Sequence, residues 1–192
     1  MKLIYFDGMS GSGKGTQINL VKLSTQAADL DFKVFREPTS LLRPFIKSYR
    51  QQDNNNLLTQ ALIFAADRAH YYMNDIKPLE KTNHIVYIDR SKYSSIYQIS
   101  KEMPLEKLLE LNSFYPNPDS ALIFTLPPEQ AYTRILERHK REGTPISRTE
   151  NIIDLTNLRA KYEVIPTFDK NAVIIDSSQT IGKMHKNVIN EQ

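Results

Sequence analysis

Apolar and polar positions change rhythm along this chain of 192 residues, and the changes divide it into short elements. Leu3 to Phe6 form an unbroken apolar run, and Phe32 to Phe35, His84 to Ile88, Ala121 to Leu126 and Ala172 to Ile175 form further short, apolar-rich runs between turn residues. Runs of this kind suit strands covered on both faces of a parallel sheet. Between them the period becomes helical. Gly15 to Asp31 sets Ile18, Val21 and Ala28 on one face, widened by Leu20 and Leu23. Leu57 to Tyr72 carries Leu58, Ala61, Leu62, Ala65, Ala69 and Tyr72 as a narrow core stripe, with Phe64, Arg68 and Tyr71 on a ridge beside it that is either a rim aromatic with a snorkelling arginine, the commoner case on periodicity alone, or one wall of a cleft. Helices are also predicted over Tyr93 to Lys101, Leu105 to Phe114 and Glu129 to Arg141. Another carries Leu155, Leu158, Tyr162 and Ile165, and a closing helix starts at Thr180. Strands alternating with helices place the chain in the α/β class with a parallel sheet.

Composition narrows this reading only a little. A hydrophobic content of 40% over 192 residues suits a single domain, residues 1–192, with a substantial core. A net charge of +3 is too mild for a protein that tracks nucleic acid, so no nucleic-acid partner is expected. There are no cysteines, which excludes disulfides, thiolate metal sites and cysteine nucleophiles. The apolar start is too short for a signal-peptide core, and no run approaches the roughly 18 residues of a membrane span. A cytoplasmic protein without a membrane partner is expected.

The candidate chemistry sits directly after the first run. Gly8, Met9, Ser10, Gly11, Ser12, Gly13, Lys14, Gly15 and Thr16 follow a strand and open a helix, with the spacing Gly8-xxxx-Gly13-Lys14 of a P-loop. Glycines let the backbone N–H groups approach an anion, the helix dipole favours negative charge there, and the lysine reaches the outer phosphates of a nucleotide. The pattern asks for Ser or Thr immediately after the lysine, to ligate Mg²⁺, but Gly15 stands there with Thr16 one place later, so direct hydroxyl coordination by Thr16 is an open point.

The ends of the later strands supply partners for this cradle. Arg36-Glu37-Pro38 follows the second strand, and ligands of open α/β sheets lie beyond the carboxyl ends of the strands, which makes Arg36 a candidate phosphate or fold contact. The plainer alternatives are a solvated arginine or one paired with Glu37. Asp89-Arg90-Ser91 ends the third strand, where a carboxylate can accept from the water shell of Mg²⁺ and an arginine can offset phosphoryl charge; a surface ion pair is the plainer alternative. Arg134, Arg138, Lys140 and Arg141 crest the helix before Gly143-Thr144-Pro145, and Arg148 follows. Such a crest is either a solvated face or a basic lid, about residues 138–149.

Taken together, the chain resembles the thymidylate kinase family of P-loop nucleoside monophosphate kinases over nearly its whole length. The resemblance rests on Phe6-Asp7-Gly8 leading into the P-loop, Arg36-Glu37-Pro38, Phe64-Ala65-Ala66-Asp67-Arg68, Asp89-Arg90 with Ser94-Ser95, Pro118-Asp119, Pro128-Glu129 and Arg148-Thr149-Glu150. It implies a P-loop NTPase fold with a five-stranded parallel sheet, a homodimer, and Mg·ATP-dependent phosphorylation of a small-molecule nucleotide, dTMP to dTDP, with ATP and Mg²⁺ as cofactors. It further implies that Lys14, Asp89, Arg90, Arg141 and Arg148 are catalytic and that Asp89 holds the metal's water shell. Phe64 would stack on the base, Arg68 would bond its carbonyl edge, and Asp7, Arg36, Arg90, Ser94 and Ser95 would complete the acceptor site. Ser10 stands where the family carries a carboxylate, Ser91 where it carries tyrosine, and Tyr97-Gln98 lies one residue early. Two other readings stay open: a deoxynucleoside kinase, in which Asp7 would be a general base, and a nucleotide-binding protein without turnover.

Overall fold

The structure is a computed structural model that describes residues 1–99, 101–147 and 149–191. β1 (Lys2–Gly8), β2 (Phe32–Arg36), β3 (Ile85–Asp89), β4 (Ser120–Thr125) and β5 (Ala172–Asp176) form one parallel sheet in the order β2-β3-β1-β4-β5. The two strands with the most continuous apolar character, β1 and β4, lie at its interior and are buried along almost their whole length. Their side chains alternate between two cores, as the pleat requires. Leu3 and Tyr5 pack with α5 (Pro128–Glu142) and α6 (Ile152–Glu163) through Ala131, Ile135, Leu155 and Tyr162. Ile4 and Phe6 pack with α1 (Lys14–Ala27) and α7 (Ile181–Asn190) through Ile18, Val21, Met184 and Val188. Among the described residues, no helix is long and apolar enough to cross a membrane.

All five strands fall within a residue or two of the ranges that the pattern predicts. The helices differ more. α1 ends at Ala27, so Ala28 lies past its end, and Leu23 is 63% exposed. Gln17 and Thr25 take inward positions instead, because each reaches a partner there: Gln17 Nε2 donates to the Ile181 carbonyl at 3.1 Å and Thr25 Oγ1 to the Val21 carbonyl at 2.8 Å. A short helix that the pattern did not announce, α2 (Arg43–Arg50), starts on Pro44 in its first turn and buries only Ile46. The helix expected over residues 93–101 is a 3₁₀ segment, Lys92–Gln98, capped by Ser91, whose Oγ accepts from the Tyr93 N–H at 3.2 Å. The next helix, α4, is only Leu105–Leu111.

The largest correction concerns α3 (Leu57–Tyr71). Its buried face is Gln60, Ala61, Phe64, Ala65, Asp67, Arg68 and Tyr71, while Leu62 is 49% exposed. The helix is therefore turned relative to the predicted stripe, and Arg68 and Tyr71 are core residues rather than one wall of a cleft. Polar bonding is the cause. Asp67 accepts from the Thr39 N–H at 2.8 Å and from its hydroxyl, which fixes the loop after β2. Arg68, fully buried, holds Glu37 through Nε at 2.7 Å and Nη2 at 2.5 Å, and donates through Nη1 to Asn112. Its Nη2 also reaches the Ser91 carbonyl and Ser95 Oγ, both at 3.3 Å. Tyr71 donates to Glu37 Oε1 at 2.5 Å and meets Tyr115 Oη at 2.6 Å. Burial pushes the Glu37 carboxyl upward, and Arg68 and the Tyr71 hydroxyl oppose that push by favouring the carboxylate.

Removing one partner of a buried, bidentate pair leaves an uncompensated charge. Arg68→Met is therefore expected to lower stability by about 3–5 kcal/mol, as read from the urea midpoint. Adding Glu37→Gln to that variant should recover part of the loss, whereas an equal or greater loss in the double variant would show that the pair is not what holds these segments together.

Candidate active site

The site is assembled by strand register. β1 pairs with β3 so that Phe6 lies opposite Asp89, and β2 pairs with β3 so that Arg36 does too. The P-loop leaves β1 just beyond this point. Gly8, Gly11 and Gly13 have φ of +142°, +77° and +76°. At Gly11 a Cβ would sit 2.5 Å from the Ala131 carbonyl oxygen, so the loop presses directly on α5. Gly13 caps α1 in the left-handed conformation and offers no side-chain acceptor to the first-turn N–H groups. Those groups have no intrahelical partner either, and so face outward as an anion site.

Lys14 Nζ donates to Asp89 Oδ1, and Asp89 Oδ2 lies 3.4 Å from Arg36 Nε. Asp89 therefore stands between two cations at the mouth of the loop. Burial lowers the Lys14 pKa, the Arg90 charge lowers it further, and Asp89 opposes both. Arg90 has φ +71°, an uncommon conformation for a side chain of its size, and its guanidinium makes no hydrogen bond or ion pair among the described residues.

Asp7 occupies a different environment. It is fully buried and accepts from the Ser91 N–H at 3.2 Å, from Ser91 Oγ at 2.5 Å and from Ser94 Oγ. It does not pair with Lys14; Asp89 does. Ser94 and Ser95 both turn inward, Ser94 to Asp7 and Ser95 to Arg68. Tyr162, which periodicity marks only as core, is buried close to Ser94 and the Gly8 backbone, and burial pushes its phenol up to about 12.

Of the two residues expected to meet a base, Phe64 is nearly buried, and Arg50 stands over its ring, with Cζ 5.2 Å from the centroid. Arg68 exposes no surface to a ligand. On α5, Arg134 points to the P-loop instead of joining the crest, and donates to the Ser177 carbonyl at 3.0 Å and the Gly11 carbonyl at 3.5 Å. No pattern in the sequence marks it for this role. Arg138 donates to Glu150 Oε1 at 3.1 Å, and Arg141 pairs at 2.6 Å with its neighbour Glu142 at the exposed end of the helix. Arg148 lies outside the described residues.

These groups fit a nucleotide triphosphate bound with Mg²⁺. Ser12 Oγ is buried in the loop with no partner among the described residues, and the capless helix start lies beside it. No cluster of three or more His, Asp or Glu side chains that could cage a metal occurs among the described residues. Mg²⁺ binds through one or two carboxylates, substrate phosphates and water. Asp89 is the carboxylate in position for such a shell. Thr16 is exposed on the first turn of α1.

Residues 6–188 match the family model described as thymidylate kinase. Among curated relatives, a probable thymidylate kinase of Thermococcus onnurineus is 34% identical, with 97% of this chain and 94% of that protein covered. A probable thymidylate kinase of Pyrococcus abyssi is 28% identical, with 97% and 93% covered. A thymidylate kinase of Desulfotalea psychrophila is 32% identical, with 78% and 75% covered.

The loop's geometry separates two glycines. A Cβ at Gly15 would meet nothing within 4 Å, and Gly15 is helical. Gly15→Ala should fold normally and gain up to about 1 kcal/mol of stability from helix propensity. Gly11→Ala should lose stability, from both its positive φ and the contact with Ala131. Matched thermal melts of the two variants check this, and equal midpoints would contradict it.

Proposed function

Because this chain belongs to the thymidylate kinase family, we propose that it transfers the γ-phosphoryl group of Mg·ATP to a deoxynucleoside monophosphate, converting dTMP to dTDP. The observation that carries the reading is the division of labour between two carboxylates. Asp89 lies at the mouth of the cradle between Lys14 and Arg36, while Asp7 is sealed beneath Ser91 and Ser94. A monophosphate brings its own anionic nucleophile and needs no general base. A nucleoside hydroxyl would need one, and Asp7, the carboxylate nearest that role, has its oxygens already engaged.

In this reading Lys14 and the N–H groups of the P-loop hold the donor phosphates. Asp89 accepts from the water shell of the metal, which supplies charge neutralisation between the phosphates when it is bound. Arg90, with no protein partner, contacts the acceptor phosphate, and Arg36 flanks it. Ser94 and Ser95 contribute by holding Asp7 and Arg68 in place. Phe64 offers a ring face to the base. Arg138, Arg141 and Arg148 are the lid cations; the Arg141–Glu142 pair is exposed and screened by solvent, so exchanging Glu142 for phosphate costs little. A cytoplasmic homodimer belongs to the same proposal. The exposed Leu62 on α3, beside the half-buried Leu58 and Leu111, offers an apolar strip for the contact between copies.

The direct test is a coupled assay of ADP formation with dTMP, dUMP, dCMP, dGMP and thymidine as acceptors. The monophosphates should be turned over and thymidine should not; preference for thymidine would move the protein to the nucleoside kinases. Lys14→Ala should abolish turnover in a protein that still melts in one cooperative transition, and near-normal turnover would remove the loop from catalysis. Alanine in turn at Arg138, Arg141 and Arg148 should reveal at least one position where kcat falls by about 10³. Changes of only a few-fold at all three would remove the catalytic arginine from the lid.

A further inference from the structure

Of the glycines in the P-loop segment, Gly15 is the one that neither backbone nor packing requires. A Cβ at Gly8 or Gly11 would lie 2.3 Å or 2.5 Å from the Phe124 and Ala131 carbonyl oxygens, and Gly13 holds φ +76° where it caps α1. Gly15 is exposed in the first turn of α1, its backbone is helical, and a Cβ there would meet nothing within 4 Å. Glycine at a helical position costs up to about 1 kcal/mol relative to alanine. The fold therefore accepts a small side chain at this position and would gain from one. Yet residue 15 directly follows the lysine, where the P-loop pattern places a hydroxyl for Mg²⁺. The consequence of glycine here lies in what a side chain would meet once a nucleotide is bound.

The other side-chain oxygens around the loop do not stand in for that hydroxyl. Thr16 is turned about 100° around the helix axis from residue 15 and is exposed. Asp89 meets a cation with each of its oxygens: Oδ1 accepts from Lys14 Nζ, and Oδ2 lies 3.4 Å from Arg36 Nε. Asp7 is sealed beneath Ser91 and Ser94. Ser12 Oγ has no hydrogen-bond partner, but it is buried inside the loop. Among the described residues no group of three or more His, Asp or Glu side chains offers a cage elsewhere.

We propose that Gly15 is a specificity-determining residue of the donor site: with no side chain there, the divalent cation of the bound nucleotide takes its inner ligands from phosphate oxygens and water alone, and meets the protein only through that water. This rests on the functional reading above and deepens it. Mg²⁺ gives up its waters reluctantly and usually keeps several of them. A site that displaces none of the waters left by the phosphates binds the ion without that cost. Such a site recognises the charge of the cation and the outline of its water shell, from which Asp89 accepts. It does not select on the length of a metal–hydroxyl bond, so octahedral cations that prefer oxygen, Mg²⁺ and Mn²⁺ among them, are accepted alike.

The test uses the intact protein with Mn²⁺ and a non-hydrolysable imido analogue of ATP. Electron spin resonance of the metal in water enriched in the magnetic oxygen isotope counts the waters bonded to it, independently of turnover. The wild type should keep the count of the free Mn²⁺–nucleotide complex. Gly15→Ala, which adds bulk without an oxygen, should keep it too, whereas Gly15→Ser should lose one water. Gly15→Thr supplies a second hydroxyl variant if the serine does not fold. Loss of a water on binding to the wild type would overturn the proposal, and Thr16→Val, Ser12→Ala and Asp89→Asn would then show which oxygen had taken its place. An unchanged count in the hydroxyl variants would overturn it as well, because position 15 would then not face the metal. Failure of the functional reading alone looks different: the metal–nucleotide complex binds with all its water, yet no monophosphate accepts a phosphoryl group. If the complex does not bind at all, both readings fall.

Discussion

The buried pair of Arg68 and Glu37 fixes the geometry of everything on the acceptor side of this protein. It joins the loop after β2 to α3, reaches the segment after β3 through Ser91 and Ser95, and touches the end of α4 through Asn112. Taking both charges out of water costs several kcal/mol for each ion, and only near-complete hydrogen bonding makes such a pair tolerable. The surroundings supply that bonding: Tyr71 donates to the carboxylate, and Tyr115 backs Tyr71. Four segments distant in sequence can therefore take only the arrangement in which these partners meet. Arg90 and Phe64 inherit their positions from it, since each lies within four residues of a member of the pair or of its acceptors.

A second constraint sorts the carboxylates. Asp7 and Asp89 sit at the ends of neighbouring parallel strands, one residue apart in register, yet their surroundings are opposite in kind. Asp7 is surrounded by hydroxyl and amide donors, which satisfy an anion without neutralising it and seal it from ligands. Asp89 is met by ammonium and guanidinium groups, which are themselves phosphate ligands. In the proposed function, phosphates would draw Lys14 and Arg36 toward themselves and leave Asp89 free to accept from a metal's water shell. Ser91 explains how Asp7 is sealed: its small side chain bonds the carboxylate and caps the 3₁₀ segment at once, and a tyrosine at this position could not sit so close.

The sequence made the sheet and the cradle legible because both depend on local rules. Apolar runs name buried strands, and glycines followed by lysine at a helix start name an anion site. The acceptor wall was hidden because periodicity counts apolar residues and cannot see a helix face held by charge. On α3 the stripe through Leu58 and Leu62 looks better than the face through Asp67 and Arg68, and only Glu37 and Thr39, about thirty residues away, reverse the choice. α2 was missed for a related reason. With one buried apolar residue it has no stripe to read, and its position depends on what its polar residues bond: Arg43 on the Pro38 carbonyl and Arg50 on Gln60 and Tyr97.

Arginine is the residue whose role the sequence distinguishes least and the structure distinguishes most. Arg68 and Arg134 bind carboxylate and carbonyl groups of the protein itself, and their donors hold Glu37 and the P-loop in place. Arg138 and Arg141 rest on Glu150 and Glu142 at or near the surface, where an ion pair is more readily exchanged than in the core. Arg36 rests on Asp89 at 3.4 Å with most of its side chain in solvent, and Arg90 pairs with no carboxylate among the described residues. A cation with no ion pair to break is available to an anionic ligand, whereas one engaged by the protein's own acceptors is not, so the same residue type serves as scaffold at Arg68 and Arg134 and as an available charge at Arg90.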